Sequence, residues 1–157
     1  MVSQSPTPAG ATVDRDTVSA TDDVDAAPSE VFDFLSRPAN HAVISGDRSV
    51  RGAFRGPARL QLGSRFGMQM KMGVPYRITS QVVEFDQDRR IAWAHFGGHR
   101  WRWELEPLGV DRTRVTETFD MSTSRMPALL RLMGYPKRHE ANVSDSLRRL
   151  VSHFQKG

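Results

Sequence analysis

Between Ala26 and Asn40 the chain reads Ala-Ala-Pro-Ser-Glu-Val-Phe-Asp-Phe-Leu-Ser-Arg-Pro-Ala-Asn, a short helix held between two prolines. Pro28 suits a first helical turn, where its missing N–H is not needed. Ser29 and Glu30 bring a hydroxyl and a negative charge to the positive end of the helix dipole. Val31, Phe34 and Leu35 recur at i, i+3, i+4, so the helix docks one face on something. Pro38 disfavours helical geometry at Arg37 and stops the helix there. A strand-like run precedes it, further strands follow, and a long amphipathic helix closes the chain. That order predicts an α+β fold in which a curved antiparallel sheet grips one helix, with room for a ligand between them.

The rest of the chain can be read by period. Asp16 to Val24 alternates weakly and reads as the first strand. A second short helical turn is expected around Ala39 to Val43, then a strand from Ser49 to Phe54. Arg65 to Met72 is the clearest strand, with Phe66, Met68, Met70 and Met72 on one face and Arg65, Gln69 and Lys71 on the other. Gly73-Val74-Pro75 turns the chain into a strand from Tyr76 to Phe85. Arg90 to Phe96 and His99 to Glu106 form a hairpin around Gly97-Gly98. Pro107 to Asp111 reads as a loop and Thr113 to Asp120 as the last strand. Met126 to Met133 suits a short helix, broken at Gly134-Tyr135-Pro136. From Lys137 to Phe154, Val143, Leu147, Leu150, Val151 and Phe154 share one helical face. The sum is about seven strands around a long C-terminal helix, with two short helices after the first strand.

A chain of 157 residues suffices for one domain with a sizeable core. Its 25% charged and 38% apolar content are those of a soluble globular protein. No apolar run approaches the ~20 residues that span a bilayer. Residues 1–13 are expected to be a disordered tail, with the domain over 14–157. Because Met1 to Thr12 has no apolar segment of a secretory signal, a cytoplasmic setting is the default. Without cysteine there is no disulfide, thiol nucleophile or Cys-based metal site. The net charge of +4 is almost all arginine, and Arg48, Arg51, Arg55, Arg59 and Arg65 crowd together. They lack interleaved exposed aromatics and any nucleic-acid motif, so they read as a solvated face balanced by the acidic N-terminal part.

The order of strand, short helices, six-strand meander and long terminal helix, together with Pro28-Ser29-Glu30-Val31-Phe32-Asp33-Phe34-Leu35-Ser36-Arg37-Pro38, resembles the START-like (SRPBCC) helix-grip superfamily. It is most similar to its polyketide cyclase/dehydrase and lipid-transport group. Leu62-Gly63-Ser64-Arg65-Phe66, Val82-Val83-Glu84-Phe85-Asp86, Arg90-Ile91-Ala92-Trp93 and Thr113-Arg114-Val115-Thr116-Glu117 carry the likeness, which runs from about Arg15 to Phe154. Many relatives have a tryptophan shortly after the proline that ends the first helix. This chain has Asn40-His41-Ala42-Val43-Ile44 there, which implies a more polar pocket mouth. The resemblance implies a fold and a ligand cavity; it spans carriers, receptors and cyclases and so implies no single activity.

The strand faces define candidate lining. The methionine row either adapts to a variable apolar guest or fills core. The Gly97-Gly98 hairpin allows two registers. With a two-residue turn, Trp101 and Trp103 point away from Trp93 and His95. With a three-residue turn, Ile91, Trp93, His95, Trp101, Trp103 and Leu105 share one face, and Arg90, Ala92, Arg100, Arg102 and Glu104 share the other. The second separates apolar from charged cleanly and is favoured. Val115 and Phe119 share a face, so Glu117 between them points inward and needs a partner or a raised pKa. His95 is the candidate partner. Such a pair serves as general acid and base, or merely orients a ligand, unless Glu117 reaches water at the strand end.

The expected ligand-binding residues are Phe66, Met68, Met70, Met72, Tyr76, Trp93, Trp101, Trp103, Phe119, Met133, Tyr135 and Asn142, with Glu117 and His95 as catalytic candidates. Asn142 is placed one turn above the core face of the last helix. His139 and His153 are read as surface residues of that helix. His95 and His99 lack further ligands for zinc, and no nucleophile elbow, phosphate loop or dinucleotide fingerprint occurs. No metal or cofactor is expected. The partner is a small apolar or aromatic molecule, not nucleic acid, and the chain acts as a monomer or homodimer. The first reading is a binder of such a molecule. The second is a polyketide cyclase or dehydratase, and the third an interaction or stress module with a vestigial cavity.

Overall fold

A computed structural model describes residues 11–155 apart from 15 and 96; the side chains of 130, 131 and 135–138 lie outside the described residues. Among them, eight antiparallel strands form one sheet in the order β1-β2-β8-β7-β6-β5-β4-β3. The strands are β1 (Thr12–Val13), β2 (Thr17–Val24), β3 (Val50–Arg55), β4 (Arg65–Met72), β5 (Val74–Asp86), β6 (Arg90–Ala94), β7 (Arg100–Gly109) and β8 (Arg112–Asp120). Helix α1 (Pro28–Leu35) and a 3-10 turn (Pro38–Asn40) link β2 to β3, and α2 (Pro127–Leu132) and α3 (Tyr135–His153) follow β8. From β3 to β8 each strand pairs with the next. The helix-grip architecture is the one expected.

Two details differ from the sequence reading. The sheet has an additional strand, because Thr12 and Val13 pair with Ser19 and Val18. Ala11 N–H also donates to Ser144 Oγ on α3 at 3.1 Å. Residues 11–13 of the expected tail over 1–13 are thus bonded to the fold, and its first ten residues lie outside the described ones. The open edge of β2 offers unpaired backbone groups that any short extended segment can satisfy, whatever its pattern. The predicted loop at Pro107 to Asp111 is also mostly strand, with a register shift between Pro107 and Gly109 absorbing the proline.

Helix α1 starts at Pro28, as its chemistry requires, and Ser36 Oγ donates to Phe32 O at 2.7 Å near its end. Val31, Phe34 and Leu35 are buried as their spacing predicts, and Phe32 is buried with them. Phe32 meets Phe85 edge-on at 5.3 Å, and Phe34 packs on Phe154 beyond the end of α3. α1 thus plugs one end of the curved sheet. Gly134, in the left-handed region at φ 76°, turns the chain from α2 into α3. Val143, Leu147 and Leu150 then lie buried against β2 and β8.

The β6–β7 pairing settles the hairpin. Trp93 faces Trp101 and Ile91 faces Trp103, which is the three-residue register. The opposite face carries an ion network. Arg102 reaches Glu84 at 2.8 Å and Asp120 at 3.1 Å, Arg100 reaches Glu84 at 3.0 Å, and Arg90 reaches Glu104 at 3.3 Å. A one-residue slip would bury these arginines and expose the indoles, so the charge pattern fixes the register.

Candidate functional site

Helix α3 rests chiefly on β2, with β8 and β1, and leaves the concave face toward β4–β6 uncovered. The gap is a cavity of about 320 Å³. Cross-strand pairing builds its wall in rows. Phe119, Trp101 and Trp93 lie side by side across β8, β7 and β6. On β4 and β5, Phe66 pairs with Ser80, Met68 with Ile78 and Met70 with Tyr76. Trp103 and Glu117 pair one step deeper.

Aromatic contacts fix these rings. Trp101 leans on Phe119 with centroids 4.6 Å apart, and His139 of α3 covers Phe119 at 4.2 Å. His41 stacks on Trp93 at 4.5 Å and 18°. Its Nε2–H donates to the Leu35 carbonyl at 2.9 Å, the only direction a carbonyl permits. Burial pushes the His41 pKa down to about 4, with the Leu35 bond opposing, so this imidazole is neutral at pH 7. The segment expected to make a polar mouth therefore contributes a buried ring, 6% exposed. Ser45, Asp47 and Ser49 supply the polar lining beyond it.

The loop carrying those residues is tied across the fold. Asp47 N–H donates to Asn142 Oδ1 on α3 at 3.1 Å, and Ser49 N–H donates to Asp47 Oδ1 at 2.9 Å. Gly46 sits so close to α3 that a Cβ would run into the Asn142 carbonyl oxygen. The glycine is needed for this approach, and the approach closes the wall between loop and helix.

Inside, burial shifts Glu117, His95 and His99 toward their neutral forms. Glu117 is 2% exposed, and burial lifts its pKa well above the ordinary carboxylate range; a hydrogen bond from Ser146 of α3 opposes this only in part. Its Oε2 has no partner. His95 Nδ1 and Ser80 Oγ are 2.7 Å apart. Burial first, and the neighbouring His99 second, push His95 down to about 4. Burial lowers His99 too, and its Nδ1 is buried without a partner.

Glu117 and His95 do not pair with one another. Glu117 faces Trp103, which faces Ile91; His95 lies four residues beyond Ile91 and two strands across. That offset is about 13 Å along the strands and about 10 Å across them, far beyond a hydrogen bond. Each has taken a different partner, Ser146 and Ser80.

The cavity gathers Phe66, Met68, Met70, Met72, Tyr76, Trp93, Trp101, Trp103, Phe119 and Asn142 from the expected lining, with Glu117 and His95. Met72 and Tyr76 sit at its rim, 45% and 40% exposed. Met133 does not take part. It is 60% exposed, because it ends the α2 segment just where Gly134 turns the chain. The Tyr135 side chain lies outside the described residues. His139, read as a surface residue, lies instead against Phe119 and Trp101. The sequence contains a signal for it: His139, Asn142 and Ser146 recur at i, i+3, i+7 beside the buried Val143–Leu147–Leu150 stripe. Ser80 alternates on β5 with Tyr76, Ile78 and Val82 and could have been read from that period, whereas His41 and the Ser45–Ser49 loop carry no comparable pattern.

Known proteins can be compared with this geometry. Residues 15–155 match the family described as polyketide cyclase/dehydrase and lipid transport. The chain belongs to this family, part of the SRPBCC superfamily. Uncharacterized protein Rv0088 of Mycobacterium tuberculosis H37Rv is 37% identical over 145 residues, covering 89% of this chain and 65% of its own length. Its counterpart MT0096 in strain CDC 1551 is 36% identical over the same spans. The chain thus covers less than two thirds of these relatives. Two solved structures share the fold. Protein NE0264 of Nitrosomonas europaea has a TM-score of 0.66 at 14% identity, covering 90% of this chain and 95% of its own. The Zhui aromatase/cyclase of Streptomyces sp. R1128 has a TM-score of 0.65 at 19% identity, covering 87% and 92%. Within this polyketide cyclase/dehydrase frame, the described residues hold no cluster able to bind a metal. None of the described helices is long and apolar enough to cross a membrane.

Proposed function

We infer that the protein binds one small apolar or aromatic molecule between the sheet and α3. The observation that carries this reading is the cavity, about 320 Å³ in size and walled by Trp93, Trp101, Phe119 and the methionine row. Benzene occupies an apolar cavity of about 150 Å³. The present space therefore suits two or three fused rings or an equivalent chain. A ligand burying about 250 Å² of apolar surface gains about 6 kcal/mol before ordering costs. The polar groups on the wall then fix its orientation.

A second reading is favoured by one observation. Glu117 is a buried acid with a free oxygen, and His95 and His99 are neutral imidazoles on the same wall. A cyclase or dehydratase needs such an acid and base, here brought into play by a substrate that reaches both. The two readings separate on Glu117→Gln, which leaves a carrier's affinity in place and abolishes an enzyme's turnover. The third reading, a vestigial interior plugged by side chains, does not suit the open volume.

The test is mass spectrometry of small molecules released when the purified protein is denatured, followed by a thermal-shift panel of aromatic and lipid-like compounds. A released molecule of two to three rings, or a concentration-dependent rise in Tm with such compounds, is the expected result. Absence of both, across a panel that includes ligands of that size, refutes the reading.

A further inference from the structure

We propose that the cavity selects uncharged ring-bearing molecules whose carbonyl or hydroxyl oxygen meets Glu117, and rejects the corresponding carboxylates. This deepens the ligand-binding reading and rests on it.

The lining's charge comes first. The chain has 22 lysines and arginines, yet none of the described residues around the cavity is either one. Arg90, Arg100 and Arg102, on the strands that form the wall, turn to the opposite face and are neutralised there by Glu84, Glu104 and Asp120. Of the two acidic residues at the cavity, Glu117 is buried in the wall and Asp47 is exposed at the rim, where Ser49 and Asn142 bond its carboxylate. A carboxylate entering would lose its hydration and find no cationic lysine or arginine among the described lining residues. A buried unpaired anion costs more than apolar contact returns.

Two unpartnered atoms supply the positive half of the argument. Glu117 Oε2 and His99 Nδ1 are buried and unsatisfied in a wall that is otherwise apolar or internally bonded. Native interiors rarely leave such groups unpaired, and a bound molecule is one way to complete them. The Ser146 hydroxyl already serves Glu117 from α3. Burial favours the protonated form of Glu117, and the unpartnered Oε2 is the oxygen free to carry that O–H toward a ligand. A ketone or hydroxyl oxygen accepts that proton in a hydrogen bond; a hydrocarbon cannot. The imidazole of His99 takes either role and so accommodates a second polar group without setting its identity.

Three probes of matched shape test this by calorimetry at pH 7: 2-acetylnaphthalene, 2-ethylnaphthalene and 2-naphthoate. The ketone is expected to bind about tenfold more tightly than the hydrocarbon. It is expected to exceed the carboxylate by at least about a hundredfold. Because the outer surface is rich in arginine, carboxylate binding counts only if it displaces the ketone. Glu117→Leu should erase the ketone's advantage over the hydrocarbon, read as the ratio of their affinities in the same variant. Glu117→Gln, which keeps a donor, should preserve the advantage and guards against a misfolded leucine variant. A carboxylate that displaces the ketone with comparable affinity overturns the proposal and leaves the ligand-binding reading standing. So does a ketone preference unchanged in Glu117→Leu. Failure of all three probes to bind overturns both.

Discussion

Glu117→Gln provides a thermodynamic test of the site without any ligand. The pKa of Glu117 is raised in the folded state, first by burial, with Ser146 opposing. Above the unfolded value near 4.5, the folded chain therefore holds a proton that the unfolded chain has lost. Stability from this residue is fully present below that pH and is lost as pH rises toward the folded-state pKa. The slope for one proton is about 1.4 kcal/mol per pH unit. Glutamine is uncharged throughout and is nearly the same shape, so its own cost is a constant offset. The variant should thus gain on the wild type by up to about 1.4 kcal/mol for each pH unit above 5, levelling off once Glu117 ionises. In a domain of this size that widens the Tm gap by about 3–5 °C per pH unit. Urea denaturation followed by tryptophan emission, at half-unit steps from pH 4.5 to 8, measures it. Every other titrating group is common to both chains and cancels. Parallel stability curves would show that Glu117 ionises alike in both states, and would refute the buried acid on which the site's chemistry rests.

Two further perturbations probe the walls. The depressed pKa of His41, about 4, means that its stabilisation is complete above pH 6.5 and is lost as pH falls toward 4, roughly 3 kcal/mol in total. His41→Phe keeps a ring on Trp93 and removes that titration, so the wild type should lose roughly 3 kcal/mol relative to the variant between pH 7 and 4; an unchanged difference in denaturation midpoints contradicts the burial. Gly46→Ala forces a methyl group into the Asn142 backbone and should lift the loop from α3, at about 1–3 kcal/mol. Faster hydrogen exchange at the Asp47 amide, now bonded to Asn142, reports the separation, and unchanged exchange argues against the tight contact.

What the sequence revealed and what it hid have a common physical origin. A strand's period of two assigns each residue to a face of its own strand, which puts Trp101 with Trp103, and the structure sets Trp93 and Phe119 beside them on the concave side. Separating apolar from charged faces favours the hairpin register, and the structure adds the reason, Glu84 outside to receive Arg100 and Arg102. Facing says nothing about distance along the strand. Glu117 and His95 share a face, yet their offset depends on two successive registers, Trp93 with Trp101 and Trp103 with Glu117. The helix poses a related difficulty. His139, Asn142 and Ser146 flank an apolar stripe, and a polar flank looks the same in sequence whether it meets water or a cavity. The loop at Ser45–Ser49 has no period at all, and its place is set by a bond to a residue 95 positions away. The hidden parts are those fixed by long-range geometry, and they are the parts that determine chemistry here. The row of Phe119, Trp101 and Trp93 lies between Glu117 and the strand ends that carry His95 and His99. In the cyclase reading, proton traffic linking Glu117 to His95 would therefore run through a bound molecule long enough to touch both, so that ligand length would govern turnover as well as affinity.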